Sequence, residues 1–235
     1  MVINVYKPRG WTSNDVVQKI KHACKFKKVG HAGTLDPLAE GVLLILTDAD
    51  TKRQSEFMSL RKEYMVKIAF GYESDSHDLR TPVRPLGATV ANKLTRDALQ
   101  NALGKYMGKI CQQVPAYSAV HVDGKRLYNF ARGNQSTTLP LPYKEIEIYD
   151  ITICSFKNNE QLNYPEIKDE QIICTTAELR VSCGKGTYIR SLVRDLGKDL
   201  GCGAVAVFLI RTKVDGYTVE NGLPLEKVLL EHLKS

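Results

Sequence analysis

The spacing of hydrophobic positions changes several times along the chain, and each change predicts an element. Val16, Val17, Ile20 and Ala23 recur at helical spacing behind Ser13, which would serve as N-cap with Asp15 in the first turn. An amphipathic helix is therefore expected from Ser13 to about Cys24. Val42 to Leu46 is short and wholly apolar, the pattern of a strand buried on both faces. Tyr64, Val66, Ile68 and Phe70 alternate with other positions and predict a strand. Leu99, Leu103 and Tyr106 are in phase for a helix over Thr95 to Met107. Ile146 to Phe156 is rich in β-branched residues, but its period slips at Tyr149-Asp150, the mark of a bulge or a strand break. Lys157 to Gln171 is polar, with Asn158-Asn159 and Pro165, and reads as a mobile loop. Ala177, Leu179, Val181 and Cys183 alternate as in a half-buried strand. Ile189, Leu192, Val193, Leu196 and Leu200 share one face of a helix over Thr187 to Leu200, stopped by Gly201. A strand over Val205 to Val214 and a short helix over Leu225 to Leu233 complete the reading.

Strands outnumber helices and do not alternate with them. The expected fold class is α+β, a single domain with a mixed, largely antiparallel central sheet flanked by helices and loops. With no internal repeat or Gly/Ser/Pro-rich linker, residues 1–235 are expected to form one domain. A chain of 235 residues, 43% hydrophobic, buries a core without disulfide staples. The longest apolar run, Ala204 to Ile210, is far short of the ~20 residues a bilayer span needs. The N-terminus lacks the apolar stretch of a signal peptide. Cys24, Cys111, Cys154, Cys174, Cys183 and Cys202 show no C-x-x-C spacing, so reduced thiols in a cytoplasm and no metal are expected.

Charge adds the first functional hint. The net charge is +7, which suits a polyanionic partner. The segment Lys19 to Lys28 holds five lysines and no acid, and it fits a solvated helix end as well as an anion-binding surface. Gly201-Cys-Gly-Ala-Val-Ala206 matches G-x-G-x-x-A, but it follows a helix and leads into a strand, the reverse of a dinucleotide site. Gly184-Lys-Gly-Thr187 lacks the spacing of a phosphate loop; it reads first as a strand-to-helix turn and second as a site for a single phosphate. The richest segment runs from Gly30 to Leu43, GHAGTLDPLAEGVL. Gly30, Gly33 and Gly41 permit unusual backbone angles, and Pro37 restricts Asp36, so one carboxylate sits on a stiff loop. An Asp-Pro pair that merely caps a turn is the common alternative.

This segment resembles the catalytic motif of the TruB family of tRNA pseudouridine synthases. Further segments resemble the family in order. They are Asn4 to Ser13 (K-P-x-G-x-[ST]-S), Lys62-Glu-Tyr64, Gln113 to Ala119 with Gly124 to Tyr128 and Ala131 to Gly133, Cys183 to Arg190, and Leu209-Ile-Arg211. Ala32 stands where the family usually has Thr, and the stretch 157–171 is longer than expected. The resemblance implies a pseudouridine-synthase catalytic domain with residues 113–133 as a tRNA-gripping insertion, and no C-terminal PUA module is expected.

It also implies a chemistry. Pseudouridine forms when the N1–C1′ bond of uridine breaks, the base turns, and C5 takes the place of N1. No cofactor is needed, only a carboxylate that attacks covalently or stabilises charge at C1′. The resemblance gives that role to Asp36, with Arg190 favouring its ionised form and Tyr64 stacking on uracil and assisting proton transfer. A surface stripe of Arg190, Arg194 and Lys198 is the competing reading for Arg190. The target uridine, position 55 in the stacked T loop, must be flipped out. His31 would fill the vacated space or buttress the loop. Gly33, Thr34, Leu35, Tyr188 and Leu209 would line the substrate pocket. Lys7, Lys25, Lys27, Lys28, Arg126 and Arg132 would meet phosphates. The implied partner is the T arm of tRNA, bound by a monomer without a membrane or protein partner. A non-catalytic RNA-binding or tRNA-folding protein on the same scaffold is the alternative, which intact Asp36, Tyr64 and Arg190 argue against.

Overall fold

The structure is a computed structural model that describes residues 1–118, 120–122, 125–127, 141–167 and 172–232. The backbone groups into two compact units, one of Met1–Val66, Arg180–Lys185 and Phe208–Ser235, the other of Lys67–Leu179 and Gly186–Val207.

The first unit begins with β1 (Val2–Lys7), α1 (Ser13–Ala23), β2 (Val29–Ala32) and β3 (Glu40–Thr47), followed by α2 (Gln54–Ser59) and the start of β4 (Lys62–Phe70). Val42 to Leu46 are fully buried, as their unbroken apolar run predicts. β1 pairs antiparallel along one edge of β3, from Val2↔Leu46 to Lys7↔Gly41. β2 takes the far end of the other edge, with Ala32 opposite Leu44. α1 packs Val16, Val17 and Ile20 inward. Its N-cap is Thr12 rather than Ser13: Thr12 Oγ1 accepts from the Asp15 amide at 3.0 Å, and Asp15 Oδ2 accepts from the Thr12 amide at 2.8 Å. Ser13 is thereby freed to turn its hydroxyl inward.

The second unit holds β5 (Tyr72–Glu73), β6 (Arg84–Pro85), α3 (Ala88–Ala91), α4 (Arg96–Leu103), β7 (Gly108–Gln113), β8 (His121–Val122), β9 (Lys125–Arg126), β10 (Tyr143–Leu162), most of β11 (Ile172–Cys183) and α5 (Ile189–Asp199). β12 (Ala204–Val214) begins here and ends in the first unit, which closes with β13 (Tyr217–Thr218), β14 (Leu223–Pro224) and α6 (Leu225–His232). The strand order of the main sheet is β14-β1-β3-β12-β4-β11-β10-β7, with β2 also on β3 and β13 on β12. Parallel pairs at β1–β14 and β3–β12 among antiparallel neighbours make it the mixed sheet expected.

Two further expectations need correction. The helix expected over Thr95 to Met107 ends as α-helix at Leu103 and continues as a 3₁₀ turn through Tyr106. Residues 157–162, assigned to a mobile loop, continue β10. Their polarity is satisfied by neighbouring side chains: Glu160 accepts from Lys67 Nζ at 3.0 Å and from the Thr176 hydroxyl, and Asn158 Oδ1 accepts from Thr175 at 3.1 Å. The slip at Tyr149-Asp150 is a change of facing inside one strand, buried positions moving from Ile146 and Ile148 to Ile151 and Ile153.

A small titrating core lies in the second unit. His77 adopts a left-handed backbone at φ 59°, and burial, reinforced by Arg194 and Arg190, lowers its imidazole to about 4. Between pH 6.5 and 4 the unfolded chain takes up a proton that the folded one refuses, so this stability is full above 6.5 and lost as pH falls. The loss amounts to about 3 kcal/mol. We expect His77→Asn, which tolerates the left-handed backbone, to flatten the fall in melting temperature between pH 6.5 and 5, measured by circular dichroism.

Candidate active site

In the first unit, residues 7–13 grip the loop bearing Asp36 almost residue by residue. Ser13 Oγ accepts from the Leu35 amide at 2.8 Å and donates to the Leu35 carbonyl at 3.2 Å. The Pro37 carbonyl accepts from the Gly10 amide at 2.8 Å and from Lys7 Nζ at 3.3 Å. Arg9 Nη1 donates to the Leu38 carbonyl at 3.2 Å. The Ala39 amide closes a turn on the Asp36 carbonyl at 3.0 Å. The two N-terminal motifs are thus one structural object, a loop and its clamp.

Lys7 departs from its expected role. Its side chain is fully buried, and its ammonium also donates to the carbonyls of Pro8 and Trp11, at 2.9 and 2.6 Å. It holds main chain and offers nothing to a phosphate. Burial brings its ammonium down to about 8, against the pull of Asp36 and Glu40. Leu35 is likewise buried and has a packing role. Gly33 and Gly41 have φ of 95° and 100°, whereas Gly30 lies in β2 and needs no such freedom. Thr34 is exposed and Asp36 half-buried on the same loop.

Strand alternation brings the other groups in. On β4, Lys62, Tyr64 and Val66 share the buried face; on β12, Leu209 and Arg211 do. Tyr64 is close enough to Asp36 and Arg211 to feel both charges, and burial above all raises its phenol, which stays protonated at neutral pH. Lys62 is buried and donates to the carbonyls of Met58 and Leu60. His31 lies on β2, its Nδ1 buried without a hydrogen-bond partner, and burial with the Arg211 charge lowers its imidazole. A neutral ring suits space-filling better than phosphate contact. The structure thus gathers Asp36, Tyr64, His31, Gly33 and Leu209 in one unit around three buried cations: Lys7, Lys62 and Arg211.

Arg190 and Tyr188 belong to the second unit. Arg190 opens α5 and is only 2% exposed, so it is not part of a solvent-facing stripe. Its Nη1 donates to the Ser76 carbonyl at 2.8 Å and its Nη2 to the Tyr117 carbonyl at 3.0 Å, and Nε lies 3.7 Å from Asp78 Oδ2. Asp78 is fixed in turn by Ser76 Oγ and the Arg80 amide. The amide side chain of Gln112 brackets the Tyr188 backbone, accepting from its N–H at 2.9 Å and donating to its carbonyl at 3.1 Å. Asp78 was missed in the sequence because it lies in a polar, turn-rich stretch. A buried carboxylate becomes visible only with its arginine in place. Arg132 and the Arg126 side chain lie outside the described residues, as does most of the segment 119–140.

These features meet a family pattern. A family model described as TruB family pseudouridylate synthase (N terminal domain) matches residues 21–189. The chain belongs to the TruB family. A tRNA pseudouridine synthase B of Clostridium tetani is 39% identical over 233 residues, covering 99% of this chain and 74% of that protein. One of Phocaeicola vulgatus is 40% identical over 227 residues, covering 94% and 88%. The crystal structure of a Cbf5-Nop10-Gar1 complex contains a chain with a TM-score of 0.67 and 26% identity, covering 97% of this chain and 53% of that one, so this TruB-family chain spans about half of it. Membership makes it an enzyme that isomerises uridine to pseudouridine in tRNA. No helix among the described residues is long and apolar enough to cross a membrane.

Proposed function

We propose that the target is uridine 55 in the T loop of tRNA, flipped out of its stack to meet the Asp36 carboxylate. The observation that carries this reading is the clamped Asp36 loop beside a protonated Tyr64 and an array of buried cations. Attack by Asp36, at C1′ or at the base, breaks the N1–C1′ bond. The uracil turns, C5 bonds to C1′ as the bond to the Asp36 carboxylate breaks, the C5 proton leaves and N1 gains one. Tyr64 acts as a hydroxyl donor or stacking surface, because its raised phenol is no base at neutral pH. Arg190, rigidly held, supports the carboxylate chemistry. His31 fills the place of the flipped base.

The RNA backbone has a docking place in the first unit. Lys21, Lys27, Lys28, Gly30, Thr51 and Gln54 line a cavity of about 270 Å³. The Asp48 carboxylate is turned to the amides of Lys27 and Lys28, leaving their ammonium groups for phosphates. Lys21 takes the place expected for Lys25, which does not line the cavity. Converting Lys21, Lys27 and Lys28 to Gln is expected to weaken RNA binding and flatten the slope of log affinity against log salt by about 2; filter binding at several salt concentrations measures it. The tRNA substrate favours a cytoplasmic enzyme. Tritium release from C5-labelled uridine in a T-arm transcript tests the whole reading, since binding alone releases none. Absence of release would favour a non-catalytic RNA-binding role.

A further inference from the structure

Among the buried cations, Arg211 has the most telling partners. It is 1% exposed, on the β12 face that also carries Leu209. Its Nε donates to the Val42 carbonyl at 2.7 Å and its Nη2 to the Gly33 carbonyl at 3.1 Å. Gly33 and Val42 lie on either side of Asp36, where its loop leaves β2 and where it has joined β3. The loop also closes tightly against this residue. Arg211 pairs with Gly41 in parallel register, and a methyl group on Gly41 would lie 2.3 Å from the Arg211 carbonyl oxygen. One on Gly33 would lie 3.5 Å from Nη1. The Tyr64 hydroxyl lies close enough to the Arg211 guanidinium for the charge to oppose the rise that burial gives its phenol.

We propose that Arg211 is a positioning residue of this site, tying both ends of the Asp36 loop and the Tyr64 hydroxyl into one frame. The planar guanidinium has five N–H groups in fixed directions, so one side chain can set two carbonyls at once and still present its charge to Tyr64. The positive charge beside Tyr64 turns the phenolic oxygen toward Arg211 and the phenolic proton away, toward a bound nucleoside. Among the described residues, no carboxylate lies within ion-pair distance of the Arg211 guanidinium. A buried charge held only by neutral oxygens is costly for a core, and a site that needs fixed positive potential gives that cost a function. The inference rests on Asp36 and Tyr64 acting as proposed above.

The test is a single-turnover assay, with enzyme in excess over C5-tritiated T-arm RNA and RNA affinity measured in parallel. The proteins are wild type, Arg211→Lys, Arg211→Gln, Tyr64→Phe and the Arg211→Lys/Tyr64→Phe double variant. Arg211→Lys keeps the buried charge and guards against misfolding of Arg211→Gln. We expect Arg211→Lys to fold, to bind RNA within about threefold of wild type and to react at least about thirtyfold more slowly. The double variant should be no more than about threefold slower than the slower single variant, because the two residues act as a unit. A wild-type rate in Arg211→Lys, a loss carried by affinity or by the fold, or losses that multiply in the double variant would each overturn the positioning role. If wild type itself released no tritium, the catalytic reading would fall first, and that result is distinct from all of these.

Discussion

Asp36→Asn is expected to lower conversion below about one-thousandth of the wild-type rate while leaving RNA affinity within a few-fold. The loop that carries Asp36 is held through main-chain groups, the Leu35 amide and the carbonyls of Pro37 and Leu38, none of which the substitution touches. The asparagine therefore occupies the same place with nearly the same shape, and what disappears is the anionic nucleophile. Deamidation would restore aspartate slowly, so freshly purified protein and mass analysis belong with the tritium-release measurement. Turnover by the Asp36→Asn protein with its amide intact would remove Asp36 from the mechanism.

Arg190→Lys should have the second-largest effect, a loss of at least about a hundredfold in rate. The guanidinium spans the carbonyls of Ser76 and Tyr117 while facing Asp78, and a lysine ammonium cannot reach all three places at once. Because the site is buried, one carbonyl left without its donor costs about 1–3 kcal/mol, so the melting temperature should drop as well. Assays well below the melting temperature separate the two effects. A variant with the wild-type rate would show that only charge matters here.

Much of this fold was legible from periodicity. Val42 to Leu46, the alternation from Tyr64 to Phe70, and the apolar face of Ile189, Leu192, Val193 and Leu196 all lie where the spacing put them, because burial on both faces forces the unbroken run and burial on one face forces the other two patterns. The polar end of β10 was not legible, since its pairing depends on Lys67, Thr175 and Thr176, residues distant in sequence. The Ser13 cap was misplaced by one residue because Thr12 and Ser13 are equally good caps locally. Only the loop at Leu35 decides between them. For the site, the motif around Asp36 is readable, whereas Lys7, expected to meet a phosphate, is buried and holds main chain. A signal was present: Ile3, Val5 and Lys7 occupy one face of β1, and a cation in line with buried aliphatics is a residue with something to hold. The same reading applied to Leu209 and Arg211 would have given Arg211 a role.

Trp11 is the only tryptophan in the chain. Its carbonyl accepts from the same Lys7 ammonium that holds Pro37, the residue after Asp36. Intrinsic fluorescence excited at the indole band therefore comes from a single fluorophore, one side chain removed from the Asp36 loop. RNA docking, loop rearrangement and release can each be followed by stopped-flow emission on the unlabelled protein, with no dye to perturb the clamp and no second indole to dilute the signal.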